Sequence, residues 1–405
     1  MSAGNKVDLP SLIQRHNAGR DPELLALKYR AMRASAFAFL RGSCALFYAQ
    51  LPSAGVFRTA PSVWVCGDLH LENFGSYKGD TGLVYFDLND FDEAALAPAS
   101  WELVRYLTSL LVAAAALGAD AEKSSALCAT FVDAYAAALV GGKAYWLERD
   151  SAQGPAAALL DSLRQRSRKA FLNSRTRLHA GRRKICIDSG KALPASAAQQ
   201  DMVGKFMAEF AKSQARPDFF AVLDVARRIA GTGSLGLDRF AVLVAGKGSP
   251  DGHELLDLKA SRPSALAPQL GLAQPRWANQ AQRIVSVQRR MQAVTMAFLQ
   301  PVLVHEQPYV LRALQPSEDR LAIERAALDS GALAQTVALQ GRLLAWAQLR
   351  SSWREGSASA DALIAWGKRR KWKQKLEDIA KACAAQCQND ARTFATAFDD
   401  GVFIR

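Results

Sequence analysis

The chain has 405 residues, 50% hydrophobic and 22% charged, a balance that excludes a disordered polymer and leaves room for two or three packed units. A net charge of +13 and a pI near 9.6 suit anionic partners such as nucleotides, phosphorylated substrates, nucleic acid or acidic lipid, without choosing among them. The opening MSAGNKVDLPS lacks the stretches of a signal peptide and the best apolar run, Leu110 to Leu117, is too short to span a bilayer, so a cytoplasmic protein with free thiols is expected.

In chain order, Pro22 to Gln50 carries apolar residues at helical spacing and predicts one long helix. Ser62 to Cys66 and Leu83 to Asp87 read as short strands bracketing a polar loop. A helix follows from Ser100 to about Leu117, then alanine-rich helix to about Val140. A basic stretch covers residues 164 to 191, and a helix covers Ala197 to Ala215. Strand, turn and strand then run from Arg228 to Ser261. A helix from Trp277 to Ala297, strands at Val302 to His305 and Tyr309 to Leu314, and helices from Leu321 to Phe398 complete the chain.

The first chemical signal is Gly67-Asp68-Leu69-His70-Leu71-Glu72-Asn73, followed by Asp87-Leu88-Asn89-Asp90-Phe91-Asp92. Phosphoryl transfer needs a carboxylate to take the nucleophile's proton, an oxygen ligand for a metal, and a second carboxylate to bridge metal and phosphates. Asp68, Asn73 and one of Asp87, Asp90 or Asp92 suit these roles by type and spacing. Two alternatives are an acidic turn capping its own backbone and a metallophosphatase built on the Asp68-x-His70 pair. The second wants more histidines than the five present, so His70 reads as a loop organiser.

The second signal is Gly231-Thr232-Gly233-Ser234-Leu235-Gly236, a G-x-G-x-x-G string. A strand rather than a helix follows it, and the next strand ends in Lys259. A glycine flap over nucleotide phosphates, with a strand lysine reaching them, has that layout. A plain hairpin turn and a solvated strand-end lysine are the bland alternatives.

These residues resemble aminoglycoside phosphotransferases and related kinases, where a G-D-x-H-x-x-N loop precedes a metal aspartate on the next strand. The spacing from Asp90 to Glu102 matches that family's run from metal aspartate to an acidic helix residue, whereas Asp87 fits better by its distance from Asn73; Asp90 is preferred and Asp87 kept. FAFLRG (Phe37 to Gly42), GDLHLENFG, FDLNDFDEA, SWELVRYL, GTGSLG and DLKAS together resemble bacterial domain-of-unknown-function family 2252. The resemblance implies an α+β, two-lobe, protein-kinase-like fold in circularly permuted order. Residues 1–215 would form a helical large lobe with the catalytic and metal loops, 216–316 a small lobe, and 317–405 helices completing the large lobe. It further implies ATP or another nucleotide with Mg2+, Asp68 as base, Asn73 with Asp90 or Asp87 on the metal, and the glycine string with Lys259 on the phosphates. The family's acidic residue is replaced by Ser286 and its histidine by Gln348.

No Asp or Glu lies between Lys259 and His305, so Gln288 or Gln292 is the expected partner of the lysine. Arg41 reads either as a site-directed arginine or as a structural ion pair. The segments 164–184 and Lys368 to Lys375, the latter flanked by Trp366 and Trp372, read as solvated basic faces or as nucleic-acid contacts with tryptophan on the bases. The expected activity is transfer of a nucleotide phosphoryl group to an unidentified hydroxyl-bearing or anionic acceptor. Its alternatives are a non-catalytic nucleotide-binding scaffold and a basic nucleic-acid-binding protein.

Overall fold

The computed structural model describes residues 8–187, 190–316, 319–321 and 323–403. The chain starts with α1 (Leu9–His16), α2 (Pro22–Ala34), α3 (Ala36–Gly42), α4 (Cys44–Ala49) and α5 (Gly55–Arg58). The single helix expected from Pro22 to Gln50 is therefore three. Ser35 leaves helical geometry at φ −162° and ψ 155°, and its hydroxyl accepts the Ala38 N–H at 3.1 Å. Ser43 breaks the chain again. Apolar periodicity continues through both serines, but the Ser35 hydroxyl caps the next helix and the Ser43 hydroxyl donates back to the Phe39 carbonyl at 2.6 Å, each giving the backbone a competing partner.

Two short antiparallel pairs come next: β1 (Ser62–Val65) with β4 (Ala95–Pro98), and β2 (Phe74–Lys78) with β3 (Val84–Leu88). β2 occupies the second half of what the sequence presents as one polar loop. The pairs pin two loops at both ends, residues 66–73 between β1 and β2 and residues 89–94 between β3 and β4, and set them side by side.

Around them pack α6 (Ala99–Ala116) and α7 (Ala121–Gly141), then α12 (Arg325–Asp329), α13 (Ala332–Arg350), α14 (Ala360–Gly367) and α15 (Lys371–Asp399) from the chain's end. Their apolar faces share one core, with Leu107, Phe131, Tyr135, Leu344 and Leu376 buried in it. The apolar run Leu110 to Leu117 belongs to α6 and is largely core. α7, 21 residues long, meets the length and apolarity needed to cross a membrane; 44% of its apolar window is buried here.

The remaining elements are α8 (Gly154–Gln165), α9 (Arg168–Asn173), the hairpin β5 (Thr176–His179) and β6 (Arg182–Ile185), β7 (Ala192–Pro194), α10 (Ala197–Lys212), β8 (Val222–Arg228), β9 (Arg239–Val244), β10 (Glu254–Ala260), α11 (Gln280–Met291), β11 (Gln300–Val304) and β12 (Gln307–Ala313). Six strands form one antiparallel sheet in the order β11-β12-β10-β9-β8-β7. β7 forms one edge of this sheet, and α10 packs on one of its faces. Strand alternation divides its residues. Phe240, Val242, Leu256 and Leu258 pack with Val203 and Met207 of α10. On the opposite face Ala241 and Leu255 pack with Leu172 and Ile185, and Asp257 and Lys259 follow Leu255 along β10. The class is α+β with antiparallel sheets, as expected.

Candidate functional site

Asp68 leaves β1 through Gly67, whose φ of +88° and contact with the Glu93 backbone exclude a side chain; a Cβ there would lie 2.1 Å from the Glu93 carbonyl oxygen. Helix α6 supports this corner with two buried charges one turn apart. Glu102 accepts the Cys66 and Gly67 N–H groups at 2.7 and 3.2 Å, and its other oxygen accepts from Gln348 at 3.2 Å. Arg105 donates to Asp68 Oδ1 through Nε at 3.0 Å and Nη2 at 2.6 Å, and Nη2 also donates to the Leu40 carbonyl at 2.6 Å. Burial works against the Arg105 charge, but Asp68 more than offsets it, and the guanidinium pKa lies above its ordinary value.

Asn73 clasps the two loops. Its Oδ1 accepts the Asp90 N–H at 2.8 Å, and its Nδ2 donates to the Asp68 and Asp90 carbonyls at 3.1 and 3.3 Å. His70 is 7% exposed, and its Nδ1 accepts the Glu72 N–H at 3.1 Å, which is the loop-organising part expected of it. Burial and the nearby Arg41, Arg105 and Arg320 hold it well below the usual histidine range. Arg41 and Arg320 share Glu72, so Arg41 is ion-paired and lines the cleft as well.

The aspartates of the second loop separate clearly. Asp87 is buried with Oδ1 on the Leu88 N–H at 2.9 Å and Oδ2 on the Ala293 N–H at 3.2 Å; burial raises its pKa. Asp90 and Asp92 line the cleft with Asp68, and Asp87 does not. For Asp90, burial would raise the pKa, but Lys259, Arg312 and Arg239 reverse that and hold it below the ordinary value. Asp92 pairs directly with Lys259 of β10, 167 positions away. Gln288 is therefore not the lysine's partner: its Nε2 donates to Gln292 at 3.1 Å, and Gln292 donates to the Leu88 carbonyl at 2.7 Å. A carboxylate from the far loop satisfies the ammonium better than either neutral amide.

Gly231, Gly233, Ser234 and Gly236 form a compact turn between β8 and β9. Ser234 Oγ donates to the Ala230 carbonyl at 3.2 Å. A side chain at Gly233 would lie 3.2 Å from the Arg41 carbonyl and 4.0 Å from Asp68 Oδ2, so the string sits directly on the acidic loop. Arg20 and Lys28 hold it there through the Gly233 carbonyl, at 2.8 and 3.0 Å. The enclosed cleft is about 260 Å³.

Three further carboxylates surround the site. Glu93 lines the cleft; burial, with Asp92 and Asp68 adding to it, pushes its carboxyl up to about 7 against the pull of the Ala265 N–H. Burial does the same to Glu102, also to about 7. Asp257, behind Lys259, is fully buried and takes Arg239 at 2.8 and 2.7 Å, Arg228 at 2.9 Å and Arg312 at 3.2 Å. Among the described residues no three His, Cys, Asp or Glu side chains converge as a metal-binding group.

Glu93 and Glu102 yield a pH prediction. Their folded pKa values lie above the reference 4.5, so between that value and about 7 the folded state binds more protons than the unfolded chain. Stability should fall as pH rises through this window. Urea midpoints of Glu102→Gln measured from pH 4.5 to 7 should show a shallower fall than the wild type's; an identical slope contradicts the assignment.

Cleft and fold together define an α+β protein in which two acidic loops and a glycine string line one cleft, with the buried Lys259 meeting it through Asp92. Over residues 20–397 the chain matches the family described as an uncharacterized protein conserved in bacteria (DUF2252), and it belongs to that family. No curated protein and no solved structure matches it.

Proposed function

We propose that the chain is a kinase-like phosphotransferase with a two-lobe, circularly permuted fold, moving the terminal phosphoryl group of a nucleotide to a hydroxyl. One observation carries the reading: Lys259 reaches Asp92 while Gly233 lies against Asp68, so the glycine-string sheet and the acidic loops form opposite walls of one cleft. A glycine-rich turn and a lysine two strands on, facing aspartate and asparagine loops, are the parts such chemistry needs. Asp68 Oδ2, the oxygen not held by Arg105, takes the acceptor's proton. The acceptor oxygen bonds to the terminal phosphorus as the bridging P–O bond breaks, and the nucleoside diphosphate leaves. Lys259 and the string's N–H groups hold the phosphates. Magnesium, when bound, neutralises phosphate charge; Asp90 and Asp92 are the cleft carboxylates suited to it, with Asn73 keeping Asp90 in place. Most of the rate effect is positioning and electrostatic stabilisation.

A second reading, a non-catalytic nucleotide-binding scaffold, is favoured by the Arg105 grip on Asp68 and by the lack of a helix carboxylate for Lys259. A nucleic-acid reading finds less support. Trp366 and Trp372 are buried and stack on each other at 4.3 Å, so neither offers a face to bases. Much of segment 164–184 is ion-paired within the chain, Arg166 with Asp319, Arg168 with Glu254 and Arg183 with Asp251.

Incubation with terminally labelled ATP and magnesium tests the proposal. Magnesium-dependent turnover or self-labelling, lost in Asp90→Asn, is expected. Tight MgADP binding without turnover favours the scaffold, and absence of nucleotide binding contradicts both.

A further inference from the structure

Three cations on the N-terminal side of the cleft have only neutral acceptors. Arg20 donates to the Gly233 and Leu235 carbonyls at 2.8 and 2.6 Å. Lys28 donates to Asn17 Oδ1 at 2.8 Å and the Gly233 carbonyl at 3.0 Å. Arg262 reaches the Ala18 and Gly19 carbonyls at 3.3 and 3.4 Å. All three line the cleft, and among the described residues none is in an ion pair. Of the cleft's acids, Asp68 pairs with Arg105 through Oδ1, Asp92 pairs with Lys259, Glu93 accepts the Ala265 N–H and Asp90 accepts the Asp92 N–H.

Lys28 makes the arrangement unusual. It is 2% exposed, its direct partners are neutral, and Glu93 and Asp68 act on it only from beyond ion-pair distance; a buried ammonium so placed is unfavourable. Burial, and then Arg20 beside it, hold its pKa well below the lysine range. An anion seated among the three cations removes that penalty. Gly233 fixes the scale, because its carbonyl accepts from Lys28 while its α-carbon faces Asp68. An anion at these cations and a hydroxyl at Asp68 would thus occupy one cleft.

We propose that Arg20, Lys28 and Arg262 bind the phosphate or carboxylate of a small acceptor and so present its hydroxyl to Asp68. The inference rests on the phosphotransferase reading and names its substrate class: low-molecular-weight, anionic and hydroxyl-bearing. In the transfer itself the acceptor's proton goes to Asp68, its oxygen bonds to the nucleotide's terminal phosphorus, and the nucleoside diphosphate departs; the three cations make and break no bond.

Calorimetric titration with inorganic phosphate, glycerol 3-phosphate, glycerol and MgADP tests it on the wild type, Lys28→Met and Arg262→Gln. Arg262 is partly exposed, so its variant keeps the test open should Lys28→Met fold poorly, which thermal unfolding checks. The wild type should bind glycerol 3-phosphate at least about tenfold more tightly than glycerol, and each folded variant should lose that preference, with MgADP affinity unchanged in Arg262→Gln, whose side chain reaches Ala18 and Gly19 and not the glycine string. Three results overturn the proposal: a wild type binding neither phosphate nor glycerol 3-phosphate, an Arg262→Gln variant with undiminished preference, or variants that lose MgADP instead, which would give these cations to the nucleotide. If the preference and its loss appear but MgADP does not bind the wild type, the anion site stands and the phosphotransferase reading falls.

Discussion

Asp68→Ala is expected to lower phosphoryl transfer by about 10²- to 10⁴-fold, the usual contribution of a positioned general base, while MgADP binding persists. The variant also strips Arg105 of its carboxylate. Arg105 has 0% side-chain exposure and Asp68 20%, and breaking such a pair from one side costs about 3–5 kcal/mol when burial is complete, less here because Asp68 meets solvent. Asp68→Asn separates the two effects: its amide oxygen still accepts from Arg105, so it should lose transfer almost as fully and keep more of the stability. Steady-state turnover and urea midpoints of both variants check this. Turnover surviving in Asp68→Asn would remove the carboxylate from the chemistry.

The largest stability effect should come from Asp257→Asn. The wild-type side chain is wholly buried beneath Arg228, Arg239 and Arg312. Burial alone would raise its pKa, but the three guanidinium groups hold it well below the usual carboxylate range. A carboxylate with a lowered folded pKa stabilises above its unfolded value, and that stabilisation is lost only as pH falls through the folded pKa, so the cluster persists into acid. Neutralising it removes the carboxylate that pairs directly with Arg228, Arg239 and Arg312 of β8, β9 and β12, at a cost of about 3–5 kcal/mol. A urea midpoint within error of wild type contradicts this. Because the cluster lies on the face that presents Lys259, MgADP affinity should weaken in parallel.

Much of the site is visible in the sequence because its parts are local strings. The GDLHLEN loop, the glycine string and the strand ending in Lys259 each carry their chemistry within a few residues, and the strands flanking them are short and well marked. What escapes notice depends on meetings between distant segments. Asp92 pairs with Lys259 across 167 positions, so the sequence pointed to the nearer Gln288. Arg105 lies in a run otherwise read as core helix. Its one signal was a second charge beside Glu102 within an apolar stretch, which implies buried partners for both. Arg20 and Lys28 belong to no recognisable pattern, and Glu93 carries no role of its own within FDLNDFDEA; all three acquire their places only when α2 and the second acidic loop close on the glycine string. The break at Ser35 was in plain view as a capping residue, and helical periodicity on both sides masked it.

A crystal soaked with magnesium and a non-hydrolysable ATP analogue tests the central claim most directly. Phosphates are expected between residues 231–236 and Lys259, with magnesium on Asp90 and the terminal phosphorus facing Asp68. A nucleotide bound outside this cleft, or phosphates out of reach of both Lys259 and Asp68, would contradict it.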